Sequence, residues 1–301
     1  MSIVNSWNEW DPLEEVIVGV PDYACIPGDE PLFPDKFEKE NPDYKAGLKS
    51  VESIDRARFQ IDNFISVLKN YQITIKRPDI IDFSQGIKTP DFEVANQKNA
   101  TNPRDVLITI GNNIYESTMC MRSRFFEYRA YKTILKDYFR QDPQFKWIVP
   151  PKPTMSNFLY DSNYPKLENE YSKREEYINS FRYSTTEYEP IFDVADILRL
   201  GKDIVVQNSF VTNKMGIEWL RRSLGSEFRV HTVHFPGELT PWHIDVGLVA
   251  VKPPTNERKG ILLTNSEYKM VESEKEIFLP NWDIIIAPEP NHEESTPLSI
   301  C

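Results

Sequence analysis

The chain has 301 residues, 40% of them hydrophobic, which is enough for one large domain with a sizeable core. Its 35 basic residues are outnumbered by 46 acidic ones, so a formal net charge of −11 disfavours binding to nucleic acid, and no apolar run is long enough to span a membrane. The three cysteines, Cys25, Cys120 and Cys301, form no CxxC pair, and residues 1–11 do not resemble a signal peptide, so we expect a cytoplasmic protein.

The predicted helices and strands follow one another in a repeating order. The chain begins with a buried strand at 14–20, an amphipathic helix at 48–70 and a strand at 72–76. Three units follow, each with the order strand, strand, helix and strand. The first has the bounds 105–111, 113–117, 124–139 and 145–149, and the second has 191–198, 203–207, 213–224 and 228–235. The third has 246–251, 260–264, 270–277 and 282–287. Long polar connections at 20–47 and 150–190 interrupt this order. The repetition predicts ββαβ modules closed around an axis.

The most distinctive polar segment is Trp242-His243-Ile244-Asp245, which leads directly into a predicted strand. Alternate side chains of an extended chain share a face, so we expect His243 and Asp245 to project together. A base and an anion at the start of a strand suit acid–base catalysis. A surface histidine beside a turn aspartate is the simpler explanation of the same pattern.

Two further segments place acidic residues beside predicted strands. The segment FDVAD at 192–196 sets Asp193 and Asp196 among apolar residues, and a buried carboxylate needs a cationic or hydrogen-bonding partner. A helix N-cap is the alternative interpretation of this segment. Asp105 opens the strand at 105–111, where it can point into a central channel or simply belong to a turn.

Other kinds of site are not indicated. His231 and His234 are three residues apart on a predicted strand and face opposite sides, and no cysteine pair accompanies them, so we predict no metal site. The sequence has no glycine-rich phosphate loop and no GxSxG elbow. We therefore expect no cofactor.

A series of segments carries a recognisable pattern: WNEWDPLEEVIVG (7–19), TPDFEVANQ (89–97), PRDVLITIGNNIYEST (103–118), RSRFFEYRAYK (122–132), PKPTM (151–155), TTEYEPIFDVADILRLGKDIVVQ (185–207), VTNKMGIEWLRRSLG (211–225), FRVHTVHF (228–235) and WHIDVGLV (242–249). In this order they resemble the glycine amidinotransferase family, which includes inosamine-phosphate and cyanobacterial toxin-pathway amidinotransferases. The likeness covers nearly the whole chain. RSRFFEYRAY, and FDVAD followed by GKDI, are its most specific parts.

The resemblance implies a pentein-type α/β-propeller, in which five ββαβ modules surround a pseudo-fivefold axis. It also implies that a cysteine thiolate takes the amidino group of arginine and passes it to an acceptor amine, such as glycine or another biosynthetic amine. By motif position, His243 resembles the general acid/base, and Asp193 resembles the carboxylate that orients it and raises its pKa. Asp105 and Asp245 resemble the carboxylates that bind the substrate guanidinium.

Two features depart from the family pattern. The family's nucleophilic cysteine lies in a final module downstream of the His-Ile-Asp motif, so we expect residues 1–301 to form a single propeller domain that lacks its last module and its nucleophile. We expect none of Cys25, Cys120 and Cys301 to replace that nucleophile. Where the family has an arginine for the substrate carboxylate, this chain has Tyr268, which alters the expected binding of donor or acceptor.

These departures leave alternatives to an active amidinotransferase. One is a non-catalytic descendant that binds arginine or another guanidine, and another is a subunit completed by a second chain. A related arginine hydrolase is disfavoured by RSRFFEYR and TTEYEP. A ring that lacks one module should expose apolar faces at 14–20 and 260–287, which a homodimer partner or a complementing C-terminal chain would cover.

Overall fold

The computed structural model describes residues 2–33, 45–236 and 243–289. The α-helices in these ranges are α1 (Val51–Asn70), α2 (Pro103–Val106), α3 (Lys132–Gln141), α4 (Leu167–Asn179), α5 (Lys214–Leu224) and α6 (Ile244–Gly247). The strands are β1 (Glu15–Ile17), β2 (Cys25–Ile26), β3 (Gly47–Leu48), β4 (Thr74–Lys76), β5 (Ile87–Lys88), β6 (Glu93–Val94), β7 (Leu107–Ile110), β8 (Asn113–Glu116), β9 (Lys146–Ile148), β10 (Ile197–Leu200), β11 (Asp203–Gln207), β12 (Arg229–Val233), β13 (Leu248–Lys252), β14 (Gly260–Thr264) and β15 (Trp282–Ile286). Short 3-10 helices lie at Arg122–Arg124, Glu127–Tyr131, Asn157–Leu159, Val194–Asp196, Gly225–Glu227 and Glu272–Ile277. None of these helices combines the length and the apolar character needed to cross a membrane.

Three of the sheets share one topology. They are β7-β8-β9, β10-β11-β12 and β13-β14-β15. In each, the first two strands are antiparallel and the third runs parallel to the second. A parallel pair needs a crossover, which is made here by α3, by α5 and by the 3-10 helix at Glu272–Ile277. A fourth unit consists of the parallel pair β1–β4 joined by α1. The predicted order of ββαβ modules is therefore present.

Helix α5 shows how the sequence forms a module. The side chain of Asn213 caps the helix by accepting a hydrogen bond from a backbone N–H of the first turn. Ile217, Leu220 and Leu224 recur at helical spacing and are buried against β10 and β11. Gly225 ends the helix with a φ of +67°, which glycine adopts at little cost.

Each of the three sheets is preceded by a single helical turn. Helix α2 leads into β7, the Val194–Asp196 turn into β10, and α6 into β13. Both α2 and α6 lie against the Val194–Asp196 turn. We call these three helical turns, α2, Val194–Asp196 and α6, the entry turns of their modules. The three entry turns therefore meet, although they are far apart in the sequence.

Because these turns precede the strands, β7 and β13 begin later in the chain than predicted. Asp105 and Asp245 were expected at the beginning of strands, but Asp105 lies in α2 and Asp245 in α6. Pro103 occupies the first position of α2, where its restricted φ favours a helical turn. His243 is the N-cap of α6, so strand alternation is not what brings it near Asp245.

Two other predicted elements differ from the structure. The helix expected at 124–139 begins as the 3-10 segment Glu127–Tyr131 and becomes α-helical only in α3, because residues of its first part are turned into the core. The connection 150–190 was expected to be a loop, but it contains α4. Of the α4 side chains only Arg174 and Ile178 are buried, so the segment lacks the apolar periodicity that indicates a helix.

One face of the third sheet is apolar and exposed. Val249 of β13 and Ile285 of β15 lie on either side of Leu263 on this face, and each is 47% exposed. Near the ends of the same strands, Val251 and Ile286 are 56% and 61% exposed. The opposite face is part of a buried cluster that includes Leu262. Exposed apolar residues therefore occur within 260–287, where one apolar face was predicted, whereas the end of the segment 14–20, where the second face was predicted, is buried. That a missing module leaves these faces uncovered stays a prediction.

Candidate active site

The entry turns bring predicted site residues from three modules together. Asp105, Asp193 and His243 each offer a side-chain N or O atom that could bind a cation, and these atoms lie within 4.8 Å of one another. Asp105 and Asp193 are buried. Asp245 is exposed at the edge of this cluster, and its carboxylate interacts electrostatically with His243 and Asp105. All four predicted site residues therefore lie in one region.

Asp196 makes the hydrogen bond to His243. His243 Nδ1 lies 3.1 Å from Asp196 Oδ1, and Asp196 is completely buried. The other carboxylate oxygen of Asp196 accepts hydrogen bonds of 2.6 Å from the hydroxyls of Ser209 and Thr212. The family resemblance implied that Asp193 orients the ring, whereas in the structure Asp196 makes the hydrogen bond to the ring and Asp193 acts on it through its charge. Both acids flank the same helical turn, and their spacing in the sequence does not reveal which one contacts the histidine.

The titration of His243 is governed by these acids. Burial alone would lower the pKa of His243, but the charges of Asp193 and Asp196 outweigh burial and raise the pKa from 6.5 to about 10. The imidazole is therefore protonated at neutral pH. A protonated histidine fixed by a buried carboxylate is suited to donate a proton to a leaving amine.

Asp193 and Asp105 differ in their tendency to ionise. Burial, together with the charge of Asp105, raises the pKa of Asp193 to about 7. Burial acts in the same direction on Asp105, but the positive charges of Arg124 and His243 outweigh it and lower the pKa of Asp105. Neighbouring carboxyl groups whose pKa values are pushed apart are typical of catalytic sites.

A buried arginine of this chain, Arg124, lies among the same carboxylates. Its Nη1 is 2.9 Å from Asp105 Oδ2 and 3.7 Å from Asp193 Oδ2, while Nε and Nη2 donate to Glu127 Oε2 at 3.0 and 2.8 Å. Burial alone would lower the pKa of Arg124, but its carboxylate neighbours raise it well above the usual value. In the sequence, RSRFFEYR indicated the family likeness but not this buried arginine. The spacing of Arg124 and Glu127, three residues apart within an aromatic segment, is the signal that could have indicated this ion pair.

Hydroxyl groups fix the turn that carries Asp193. Thr118 Oγ1 accepts a hydrogen bond from the backbone N–H of Phe192 and donates one to its carbonyl. Thr212 Oγ1 accepts from the N–H of Asp193, and Asp193 Oδ1 accepts from the N–H of Ala195. The position of the carboxylate is therefore held by residues of two modules.

Two acceptors of the site remain open. Among the described residues, no hydrogen-bond donor contacts Asp105 Oδ1, and none contacts the carboxylate of Asp245. Arg104, from the turn that carries Asp105, donates instead to the carbonyls of Val194 and Ile197 and so joins two modules. The spacing of Asp105, Asp193 and His243 would also suit a cation, but Arg124 already supplies positive charge to both carboxylates.

Neither described cysteine has the properties of a nucleophile. Burial, with the charge of Asp193, raises the pKa of Cys120 well above its usual value. Burial also raises the pKa of Cys25, to about 11. Both side chains are therefore thiols and not thiolates at neutral pH. Cys301 lies outside the described residues, and the prediction about it stays a prediction.

Tyr268 occupies a buried position and not an open one. Its ring stacks on Phe235 at 4.6 Å between centroids, and its hydroxyl oxygen accepts a hydrogen bond from Gln207 Nε2 at 2.5 Å. Tyr268 is thus integrated into the core of the third module. Its hydroxyl cannot supply the positive charge that an arginine would supply to a substrate carboxylate.

Comparisons with known proteins show clear similarity, although no protein-family model matches the chain. The mitochondrial glycine amidinotransferase of Xenopus tropicalis is 41% identical over 300 residues, which cover 98% of this chain and 68% of that protein. The L-arginine:L-lysine amidinotransferase of Pseudomonas savastanoi pv. phaseolicola is 39% identical over 301 residues, with 99% of this chain and 77% of that protein covered.

A solved structure confirms the predicted fold class. SxtG, an amidinotransferase of the saxitoxin biosynthetic pathway from Microseira wollei, superposes with a TM-score of 0.81 at 37% identity. The match covers 98% of this chain and 78% of that chain. The pentein-type α/β architecture that the resemblance implied is therefore confirmed.

Proposed function

The chain belongs to the glycine amidinotransferase family, and from this premise we propose that it binds the guanidinium group of arginine between Asp105 and Asp245, for transfer of the amidino group to an amine. The observation that carries this proposal is the pair of open carboxylate acceptors beside a protonated His243. A guanidinium presents five N–H donors in a planar fork, which suits two carboxylates approached from different sides.

Arg124 prepares Asp105 for this role. It neutralises part of the charge on Asp105 and binds Oδ2, which leaves Oδ1 oriented and unpaired among the described residues. Asp245 supplies the second acceptor from the exposed side of the cluster. The substrate guanidinium is thereby held at a fixed angle to His243, which is how binding converts a bimolecular reaction into an oriented one.

His243 acts as the proton carrier. Its Nδ1 is bound to Asp196, so Nε2 is the atom available for transfer. When a thiolate attacks the guanidinium carbon, an S–C bond forms, the bond from that carbon to ornithine Nδ breaks, and His243 gives its proton to ornithine. The acceptor amine then attacks the amidino carbon and returns a proton to His243, and the S–C bond breaks to restore the thiolate.

The thiolate is neither Cys25 nor Cys120, because burial keeps both protonated. This observation favours a second candidate function, in which the chain binds a guanidine without transferring it, or is a subunit completed by a second chain that brings the thiol. The acceptor is proposed to be an amine such as glycine or lysine, by analogy with the names of the relatives. Two buried free thiols fit a reducing compartment such as the cytoplasm.

Binding of L-arginine, measured by titration calorimetry, tests the assignment of the guanidinium site. D105N and D245N should each weaken binding about tenfold or more, because each removes a charge-assisted hydrogen bond worth about 1.5–3 kcal/mol. D137N, at a half-exposed aspartate of α3 that pairs with Arg140 of the same helix, is the matched control and should bind like the wild type. Unchanged affinity in D245N would show that the site lies elsewhere.

Release of ornithine tests the assignment of the thiol. The purified chain should bind arginine without steady production of ornithine, because the described thiols are not ionised. Steady turnover, with an amidino adduct mapped to Cys25 or Cys120, would overturn this part of the proposal.

A further inference from the structure

A cavity lies beside the candidate active site. Its volume is about 270 Å³, and it is lined by Asp161, by most residues of the segment 181–187, and by residues near the two ends of the segment 208–214. At about 30 Å³ for each water molecule, this volume holds roughly nine waters. It is smaller than the pockets of about 300–1,000 Å³ that take drug-sized ligands. The cavity therefore suits a molecule of about the size of a small amino acid.

The cavity is lined by equal numbers of positive and negative side chains. Arg182 and Lys214 provide two positive charges, while Asp161 and Glu187 provide two negative ones. Among the described residues, these four side chains form no ion pair with one another, although both carboxylate oxygens of Glu187 accept hydrogen bonds from the backbone N–H groups of Lys214 and Met215, at 3.1 and 2.9 Å. Arg182 packs its guanidinium on the ring of a tyrosine at 3.9 Å, which leaves its N–H edge available. A ligand with both a carboxylate and an ammonium group would find a partner for each.

Two polar atoms in the cavity wall have no hydrogen-bond partner within residues 2–33, 45–236 and 243–289. They are Thr185 Oγ1 and Asn208 Oδ1, and both residues are buried. The amide of Asn208 is oriented by its Nδ2, which donates to the carbonyl of Thr212 at 2.8 Å, so the unpaired atom is the acceptor. A buried acceptor without a donor is costly, and an ammonium group offers three donors. The unpaired atoms thus match the positive end of the same kind of ligand.

The cavity is connected to the candidate active site. Ser209 lines the cavity, and its hydroxyl donates to Asp196, which binds His243 through its other oxygen. The residues that surround the cavity do not include Asp105 or Asp245. The cavity is therefore adjacent to the guanidinium-binding carboxylates and separate from them.

From these observations we infer that the cavity is a binding site for a small zwitterion of the α-amino acid class. Arg182 and Lys214 bind its carboxylate, and its ammonium group is bound by the unpaired oxygens of Thr185 and Asn208, with help from the negative charge of Asp161. This inference does not depend on the proposed function, because the two sites share no ligand-binding residue.

Titration calorimetry of the 301-residue chain with glycine tests this inference. The double variant R182M/K214M should bind glycine about fivefold more weakly or worse, because two ion pairs at the mouth of the cavity are lost. T185V should weaken binding about two- to tenfold through the loss of one hydrogen bond, and it should leave the free protein as stable as before, because the hydroxyl that it removes is unpaired. K136M, at an exposed lysine of α3, and D105N should bind glycine like the wild type.

Single-charge probes complete the test. Acetate and methylamine should each bind about tenfold more weakly than glycine, because each satisfies only one half of the cavity. Binding of acetate as tight as that of glycine would reduce the cavity to an anion site and overturn the inference. Loss of glycine binding in D105N but not in R182M/K214M would place glycine at the carboxylate cluster and overturn it as well.

Discussion

Replacement of Asp196 by Asn should lower the pKa of His243. At 3.1 Å, a unit positive and a unit negative charge attract each other by about 5 kcal/mol if the effective dielectric constant is about 20, which corresponds to roughly four pH units. The charge of Asp193 remains in the variant and continues to raise the pKa. We therefore expect a smaller fall, of about two pH units from the wild-type value of about 10.

The same substitution should change stability in a pH-dependent way. The folded-state pKa of His243 lies above its unfolded value, so the histidine stabilises the fold fully below about pH 6.5 and loses this contribution as the pH rises towards 10. A fall of about two pH units removes about 3 kcal/mol of that contribution. The difference in unfolding free energy between wild type and D196N should thus be about 3 kcal/mol larger at pH 6 than above pH 10.

Two measurements check this prediction. Titration of the imidazole signals by NMR reports the pKa of His243, and urea unfolding at several pH values reports the free energy. The control is D203N, which removes the carboxylate bonded to another histidine, His231, at 2.8 Å. D203N should leave the titration of His243 unchanged. A D196N protein in which His243 titrates as in the wild type would refute the reasoning, as would a stability loss that is equal at pH 6 and pH 10.

Three further outcomes are expected. R124M should lower the free energy of unfolding by about 3–5 kcal/mol in urea, because it leaves buried carboxylates without their counter-charge, and a loss below about 1 kcal/mol would contradict the buried pairing. Cys25 and Cys120 should resist iodoacetamide at pH 7.5 in the folded protein and react in urea, since burial raises the pKa of both thiols, whereas rapid alkylation of the native chain would indicate an accessible thiolate. L262A should cost about 2–5 kcal/mol in thermal unfolding, because it opens a cavity in a fully buried position, and a near-neutral effect would mean that the third module is loosely packed.

The modules could be predicted from the sequence, but the turns that precede them could not. Segments such as 203–207 and 214–224 show apolar periodicity over enough residues to distinguish a strand from a helix. The helical turn at 103–106 has only four residues, which is too short for any periodicity to appear. Because the following strand is apolar, the turn was included in it, and Asp105 was placed in the wrong kind of element.

The acidic residues of the site could be predicted from the sequence, but the residues that pair with them could not. FDVAD indicated that a buried acid needs a counter-charge, and the structure supplies Arg124 for Asp193 and His243 for Asp196. An arginine and a glutamate three residues apart usually form an exposed pair on a helix. Only the tertiary packing shows that Arg124 and Glu127 are turned inwards.

The meeting of the three entry turns has a consequence for the order of folding. Each sheet closes through contacts within its own stretch of chain, whereas the turns around positions 105, 195 and 244 touch only after whole modules have come together. The entropy cost of closing a loop grows with its length, so these contacts form late. The carboxylates are then forced together at the final step. Substitutions in the turns should therefore accelerate unfolding and hardly change the rate of folding, because the pairing of Arg124 and His243 with these carboxylates forms only in the assembled modules and slows their separation.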